Sequence, residues 1–482
     1  ILIPYLNFHY SDPVHDRLRE QWGFFYFHAA PEGLLYPPQS LVNIILSAFR
    51  VKFETLEVEK YMNIGLVTSL ILLAMLVTWI VRLFKKRSAE PNGLRKPLSV
   101  ILIASIILFV YAANTSLVPL PETSIQEHLG PLLMFKAVSR IGWPVYFALT
   151  LWSVIFFDRW LARLTTVMIA NAILLVAAGT WAWEIHTYVG SHYHDCFHEN
   201  FLRQELADGL IKNLDEHHIE LSTFQAMLVL PKMQAWTDNF LSDLNWASQF
   251  FSTRISAATG LPMINAMLSR MSIGQSAEAI QMLSNPLIRR DLVRKLPNQK
   301  DILLLVGGGH PPLKEGEDFL VHVSTPLFES PDYSLYRLRL KDLEDNVFME
   351  EARTLALQNP PVSPEVIHLG FDDPATQEKF YGTGARLMPK GTTTVVAQAL
   401  PCNRDTNYVF SAWTQIGHIK PGVGDWYITL SDSTGQVVMP ATRIETRKSN
   451  DIQDMWIRSE MQFPVAKGTR IKADFVTDHD LY

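Results

Sequence analysis

Residues Thr165 to Trp183 read TTVMIANAILLVAAGTWAW, a run with no charged side chain. Its length is close to the ~20 apolar residues that a helix needs to cross ~30 Å of hydrocarbon. Arg159 and Arg163 precede the run, and Trp181, Trp183, Glu184, His186 and Tyr188 close it. Basic residues at one end and an aromatic, polar belt at the other mark an inside end and an interfacial end. No comparable apolar run follows, so the chain is expected to change here from a membrane half to an extracytoplasmic half.

Working back from that stretch, three more spans are expected. Residues 62–81 (MNIGLVTSLILLAMLVTWIV) lead straight into Arg82, Lys85, Lys86, Arg87, Arg95 and Lys96. A short loop this basic marks the cytoplasmic face. Residues 97–114 return across the membrane, 115–139 form an outside loop, and 141–157 go back in to a tight turn holding Asp158, Arg159 and Arg163. Four spans (62–81, 97–114, 141–157 and 165–183) therefore make up an expected polytopic α-helical membrane domain at residues 1–190. Leu41, Ile44, Ile45, Ala48 and Phe49 recur at helical spacing over a segment too short to cross, which fits an interfacial helix. The chain starts ILIPYL, which reads as the tail of an earlier apolar segment and gives the expectation of a fragment.

Composition narrows the function classes. Of 482 residues 48% are apolar and the net charge is -6, so no broad basic surface exists for nucleic acid. The two cysteines, Cys196 and Cys402, both fall in the half placed outside the cytoplasm, where a disulfide persists. The sequence leaves two states open, one disulfide or two buried thiols.

The stretch FKAVSRIGWPVYFALTL at residues 135–151, with EKYMNIGLVTSLILL at residues 59–73, resembles the spans of YfhO-like bacterial membrane proteins, relatives of the GT-C glycosyltransferases. The resemblance covers roughly residues 10–190. It implies a multi-pass protein of the bacterial inner (cytoplasmic) membrane, a lipid-linked sugar donor, and an extracytoplasmic glycan or cell-envelope acceptor. Lys136 and Arg140 lie i, i+4 apart at the outer mouth of the third span. Arg140 either snorkels to the headgroups or offers its planar fork to the donor phosphate, with Lys136 beside it. Asp12 and Asp16, in an acidic aromatic loop with Glu20, are the candidates for a catalytic base on the same face. The alternative to a transferase is a non-enzymatic anchored scaffold or glycan-binding component of a larger complex.

Beyond the last span, SHYHDCFH places His194 and His198 at i, i+4, a metal-ligand spacing that a polar juxtamembrane segment accounts for equally well. Apolar runs at Phe224–Leu230, Asp301–Val306, Phe319–Val323 and Ser334–Leu340 are expected as strands. Helices are expected at Phe201–Leu214, Asp238–Phe251, Ser276–Leu283 and Val347–Leu357, which together make residues 191–358 an α/β domain. Gly307-Gly308-Gly309 is either a plain turn or a phosphate cradle. From residue 362 to 482, seven alternating runs bounded by Gly, Asp and Asn read as a β-sandwich. The order FDD, NYVFSAWTQI, DWYITLSDSTGQVV, MWIRSEMQF resembles carbohydrate-binding jelly rolls, in which a further strand follows, so truncation is expected. Trp413, Trp426 and Trp456 are the candidate glycan platforms, against the alternative that each serves the core.

Overall fold

The computed structural model describes residues 23–34, 41–49, 64–84, 95–114, 137–198, 211–233, 245–266, 272–343, 384–402, 404–416 and 423–477. Single positions or pairs at 11, 14, 62, 132, 133, 135, 240, 241, 243, 367, 369 and 371 are also described. The chain divides into two compact units, Arg19–Asn200 and a second that takes in Phe201–Tyr482.

The first unit is helical. Its main elements are α1 (Leu66–Phe84), α2 (Arg95–Ala113), α3 (Trp143–Leu161) and α4 (Val167–His198). Two stretches, Val138–Leu161 and Val167–Thr187, are long and apolar enough to cross a membrane, and Leu66–Val81 and Pro97–Ala113 are shorter apolar helices. The expected span boundaries shift by a few residues because Pro144 opens α3 in the first turn, where its missing N–H costs nothing. A short helix, Leu41–Ala48, stands where the interfacial segment was expected, with Ile44, Ile45 and Phe49 exposed.

The helices alternate in direction. Met62, just before α1, packs with Phe109, Ala112 and Ala113 at the end of α2 and with Val145 at the start of α3. Val67 and Ile71 of α1 meet Ala177 and Trp181 of α4, with Phe156 and Phe157 of α3 alongside. Gly142 packs closely at this junction, where a Cβ would lie 2.7 Å from Met62 Cε and 3.1 Å from Phe109 Cδ2 and would make the Met62 side chain shift. The first N–H of α1, on Leu66, donates to both Glu184 oxygens of α4 at 3.0 and 3.1 Å. A carboxylate at a helix N-terminus satisfies an orphan donor and complements the macrodipole. Outward, the helices are apolar: only 22% and 11% of the most apolar windows of the two long ones are buried.

The second unit begins with a four-stranded sheet of order β1-β2-β4-β3, built from β1 (Phe224–Leu230), β2 (Asp301–Gly307), β3 (Thr325–Glu329) and β4 (Tyr333–Leu338). β1 and β2 are parallel, and β4 runs antiparallel to both of its neighbours. Continuous apolar runs suit β1 and β2, which are covered on both faces by separate apolar clusters. The helices are α5 (Trp246–Thr259), α6 (Ile273–Gln281) and α7 (Glu315–Val323).

Two expectations need correcting here. Phe319–Val323, expected as a strand, is the second half of α7, whose first turn carries Glu315, Glu317 and Asp318. A five-residue apolar run does not separate a strand from a buried helix face. The strand is instead β3, an edge strand that tolerates Pro326. The helix expected from Asp238 starts at Trp246, where Asn245 caps Ser248 N at 2.7 Å. The helices expected at 201–214 and 347–357 lie largely or wholly outside the described residues.

The β-sandwich consists of a sheet of order β5-β11-β7-β8 and a second of order β6-β10-β9. Its strands are β5 (Gly391–Ala399), β6 (Thr406–Gln415), β7 (Asp425–Ser431), β8 (Val437–Ile444), β9 (Ile452–Gln453), β10 (Trp456–Val465) and β11 (Arg470–Thr477). All pairings are antiparallel. Six of the seven expected runs become strands, and the first, at 366–369, falls largely outside the described residues. Ile428, Ile471 and Phe475 of one sheet share a core with Phe463 and Val465 of the other.

Gly307 tests how tightly α5 sits on β2. A Cβ there would stand 2.2 Å from Ser248 Oγ and 2.4 Å from Ser248 N, a contact with the backbone that a rotamer change does not relieve. Gly307→Val is expected to destabilise the unit by about 3 kcal/mol or more, as overpacking against backbone does. The midpoint of urea unfolding followed by tryptophan fluorescence checks it.

Candidate functional site

The densest polar arrangement among the described residues lies at the seam between the α/β sheet and the β-sandwich. Its centre is Lys232, two residues past the end of β1 and fully buried. Burial of a lysine requires every donor to find an acceptor. Lys232 Nζ donates to the carbonyls of Lys448 (2.9 Å), Ser449 (3.1 Å) and Arg447 (3.4 Å), all in the segment after β8.

Glu317, on the first turn of α7 and also buried, organises the other side. Its Oε1 accepts from Lys232 N at 2.8 Å and from Asn450 Nδ2 at 3.1 Å, and its Oε2 accepts from Lys314 N at 3.0 Å. Lys314 Nζ then reaches Asp243 at 2.6 Å and Lys448 O at 2.7 Å. Ser284 Oγ donates to Asn450 O, and Asp451 accepts from Asn285 N at 2.8 Å. Beneath this network Phe240, Ile273, Ala277 and Ile280 pack against Ile416, Val423, Ile452 and Ile457. The two domains are thus welded by an apolar patch and a satisfied polar layer.

Charge at Lys232 is strained by its surroundings. Burial, then the neighbouring Lys314 and more weakly Lys448, lower its pKa from 10.5 to about 7, against the pull of Asp243 and Glu317. A second cluster, Tyr333 with Phe251 and Phe328, sits on the other face of the sheet, and burial raises the Tyr333 hydroxyl pKa.

Beside the weld opens a cleft of about 780 Å³ between α7, the segment after β8, and the strands β8 and β10. Two ladders of alternating charge line it. Arg443 pairs with Asp425 and Glu445, and Lys448 pairs with Glu445. Arg458 pairs with Asp451 at 3.0 Å and Glu460 at 2.5 Å.

The residues singled out in the sequence fare differently. Arg140 is exposed in the 3-10 turn Val138–Gly142 that leads into α3. Asp12, Asp16 and Lys136 lie outside the described residues. His194, Cys196 and His198 fall on the backbone of α4, and their side chains are outside the described set. Of the two states the sequence left open for the cysteines, Cys402 is a buried free thiol that donates to Ala466 O at 3.2 Å. The platform readings of Trp426 and Trp456 are corrected too, because both are buried. Trp426 is held between Phe410 and Phe475, with ring centroids 5.1 and 4.9 Å away, and alternation in β7 points it inward. Trp413 is half-buried on β6 opposite Arg458. The glycine triplet ends β2 and turns at Gly308-Gly309, and Asn245 and Ser248 crowd Gly307 while the Pro331 carbonyl crowds Gly308.

Lys232 and Glu317 were not foreseen. The available signals were a lone lysine straight after an apolar strand and a Glu three residues past a helix start, both of which usually mark exposed turns.

Comparison with known proteins adds one finding. Residues 12–180 match a family described as a domain of unknown function (DUF6311). That match covers most of the helical unit and ends within α4. No curated protein and no solved structure matches the chain.

The weld makes stability depend on pH. The unfolded chain keeps its lysine proton up to about 10.5, whereas folded Lys232 releases it near 7. The unfolded state therefore binds more protons across that window, and stability rises as pH is raised through it. In Lys232→Met the rise is expected to vanish. Arg447 O keeps Leu241 N and Lys448 O keeps Lys314 Nζ, so only Ser449 O loses its donor among the described residues. That costs about 1–3 kcal/mol, offset by removing the buried charge. Urea midpoints of the full chain and the variant at about pH 6.5 and about pH 9 check both signs.

Proposed function

We propose that this chain is a multi-pass protein of the bacterial cytoplasmic membrane that holds a rigid recognition module, the welded α/β and β-sandwich pair, outside the cytoplasm, where it engages a cell-envelope glycan or partner. The observation that carries the reading is the helical unit. Four apolar helices alternate in direction, and Leu70, Ile80, Ile101, Ile107, Leu151 and Leu175 among others are turned outward. An apolar surface this extensive is stable against lipid and not against water. In the sequence, the basic residues Arg82 to Lys96 join α1 to α2 and Arg159 to Arg163 join α3 to α4, which supports a cytoplasmic assignment for the ends so joined.

A second reading, glycosyl transfer from a polyprenyl-phosphate donor, is favoured by one feature, the exposed Arg140 at the opening of α3. A guanidinium there suits a phosphate at the membrane boundary. Loss of donor consumption in Arg140→Ala, with a labelled polyprenyl-phosphate sugar, would favour that reading, and no consumption by the unaltered protein would remove it.

Topology is tested by cysteine labelling in a Cys196→Ser background. A maleimide that does not cross membranes is expected to react in intact cells with Thr434→Cys, at the exposed β7–β8 turn, and to spare Glu90→Cys. The reverse pattern would invert the orientation, and equal labelling of both would end the membrane reading.

A further inference from the structure

We propose that the cleft beside the weld is a binding site for an uncharged, polyhydroxylated ligand, a short neutral glycan. The inference rests on the recognition-module reading and names the ligand class and the place.

Size comes first. A volume of about 780 Å³ lies within the ~300–1,000 Å³ of ordinary small-molecule sites, so the cleft holds a few linked sugar rings rather than one ion. Charge then decides the class. Lys314, Arg443, Lys448 and Arg458 are matched in the walls by Glu315, Glu445, Asp451 and Glu460. A phosphate or a carboxylate entering this space would meet as many like charges as opposite ones, and a cation would do no better. A hydroxyl has no such conflict, because it donates to a carboxylate oxygen while accepting from a neighbouring N–H. In both ladders every carboxylate already stands beside a cation, so adjacent hydroxyls of a sugar ring find donor and acceptor in alternation. Hydrogen bonds to charged groups are the stronger kind, which compensates for the hydration that a polyol gives up.

The remaining surface agrees. Ile444 and Met461 supply apolar wall between the ladders, suited to the C–H faces of pyranose rings. The guanidinium of Arg458 is fixed by Asp451 and Glu460, and its Nε is buried without an acceptor among the described residues, so this group is set in place before any ligand arrives. The cleft floor belongs to the welded seam, and the walls come from both domains. The site therefore exists only when Lys232 and Glu317 hold the two together, and Trp426 and Trp456 take no part in it.

The test uses the full chain in lipid nanodiscs, which avoids detergents with sugar headgroups. Maltotriose, cellotriose and chitotriose are titrated separately, with inorganic phosphate as the charged comparison, and binding is read by saturation-transfer NMR. At least one trisaccharide is expected to bind with a dissociation constant near millimolar, and phosphate is expected not to compete. Glu460→Gln, at an exposed rung that leaves folding intact, and Arg458→Gln are each expected to weaken binding roughly tenfold. Binding of none of the three sugars, displacement of a sugar by phosphate, or affinity unchanged in both variants would each overturn the proposal. Because the assay does not depend on which side of the membrane the unit occupies, its failure is separate from failure of the labelling experiment.

Discussion

An ammonium group with no access to water sets the terms for the second unit. Lys232 emerges from the most apolar strand of the sheet and has nowhere to go but through the seam, to carbonyls that belong to another domain. Removing a charge from water costs several kcal/mol after relaxation, so such a group persists only where its acceptors are held in place. Here Glu317 holds them. One of its oxygens accepts from the Asn450 amide and from the peptide N–H of Lys232, and the other accepts from the peptide N–H of Lys314 at the start of α7. The α/β sheet and the sandwich consequently behave as one cooperative body, and the cleft beside them inherits that rigidity.

Legibility in the sequence followed the range of the interactions. Period-two alternation in residues 391–477 and the apolar run of β1 are local signals, and they placed strands to within a residue or two. Apolar length located the four helices of the first unit for the same reason. What failed was whatever depended on partners far along the chain. Phe319–Val323 has the composition of a strand, and only its docking beneath β2 and β4 makes it a helix. For Trp426 the sequence favoured the core over a platform without deciding between them, and the ring contacts with Phe410 and Phe475 place it in the core. The weld was invisible because its carbonyl acceptors have no residue identity at all. A lysine that binds main-chain oxygens 215 to 217 positions away leaves no motif.

The two units also differ in what kind of surface they present. The sandwich and the α/β sheet keep their large apolar side chains inside, apart from scattered positions such as Trp246 and Val409. The helical unit does the opposite, with many large apolar side chains exposed and small residues such as Ala112, Ala113 and Ser153 among those it buries. Small residues at helix contacts let backbones approach when no water is present to drive association. The family match ends at residue 180, so the chemistry of the second unit has to be read from its own side chains.

Leu66 and Glu184 stand 118 residues apart, and the bond between them has a bearing on how the protein is made. Synthesis proceeds from the N-terminus, so α1 is complete long before its terminal N–H has the carboxylate that satisfies it. Until α4 arrives, the N–H at the start of α1 has to find another acceptor. The last helix therefore acts as a latch on the first, and a ribosome that stalls before residue 184 releases a chain whose opening helix is still unfastened.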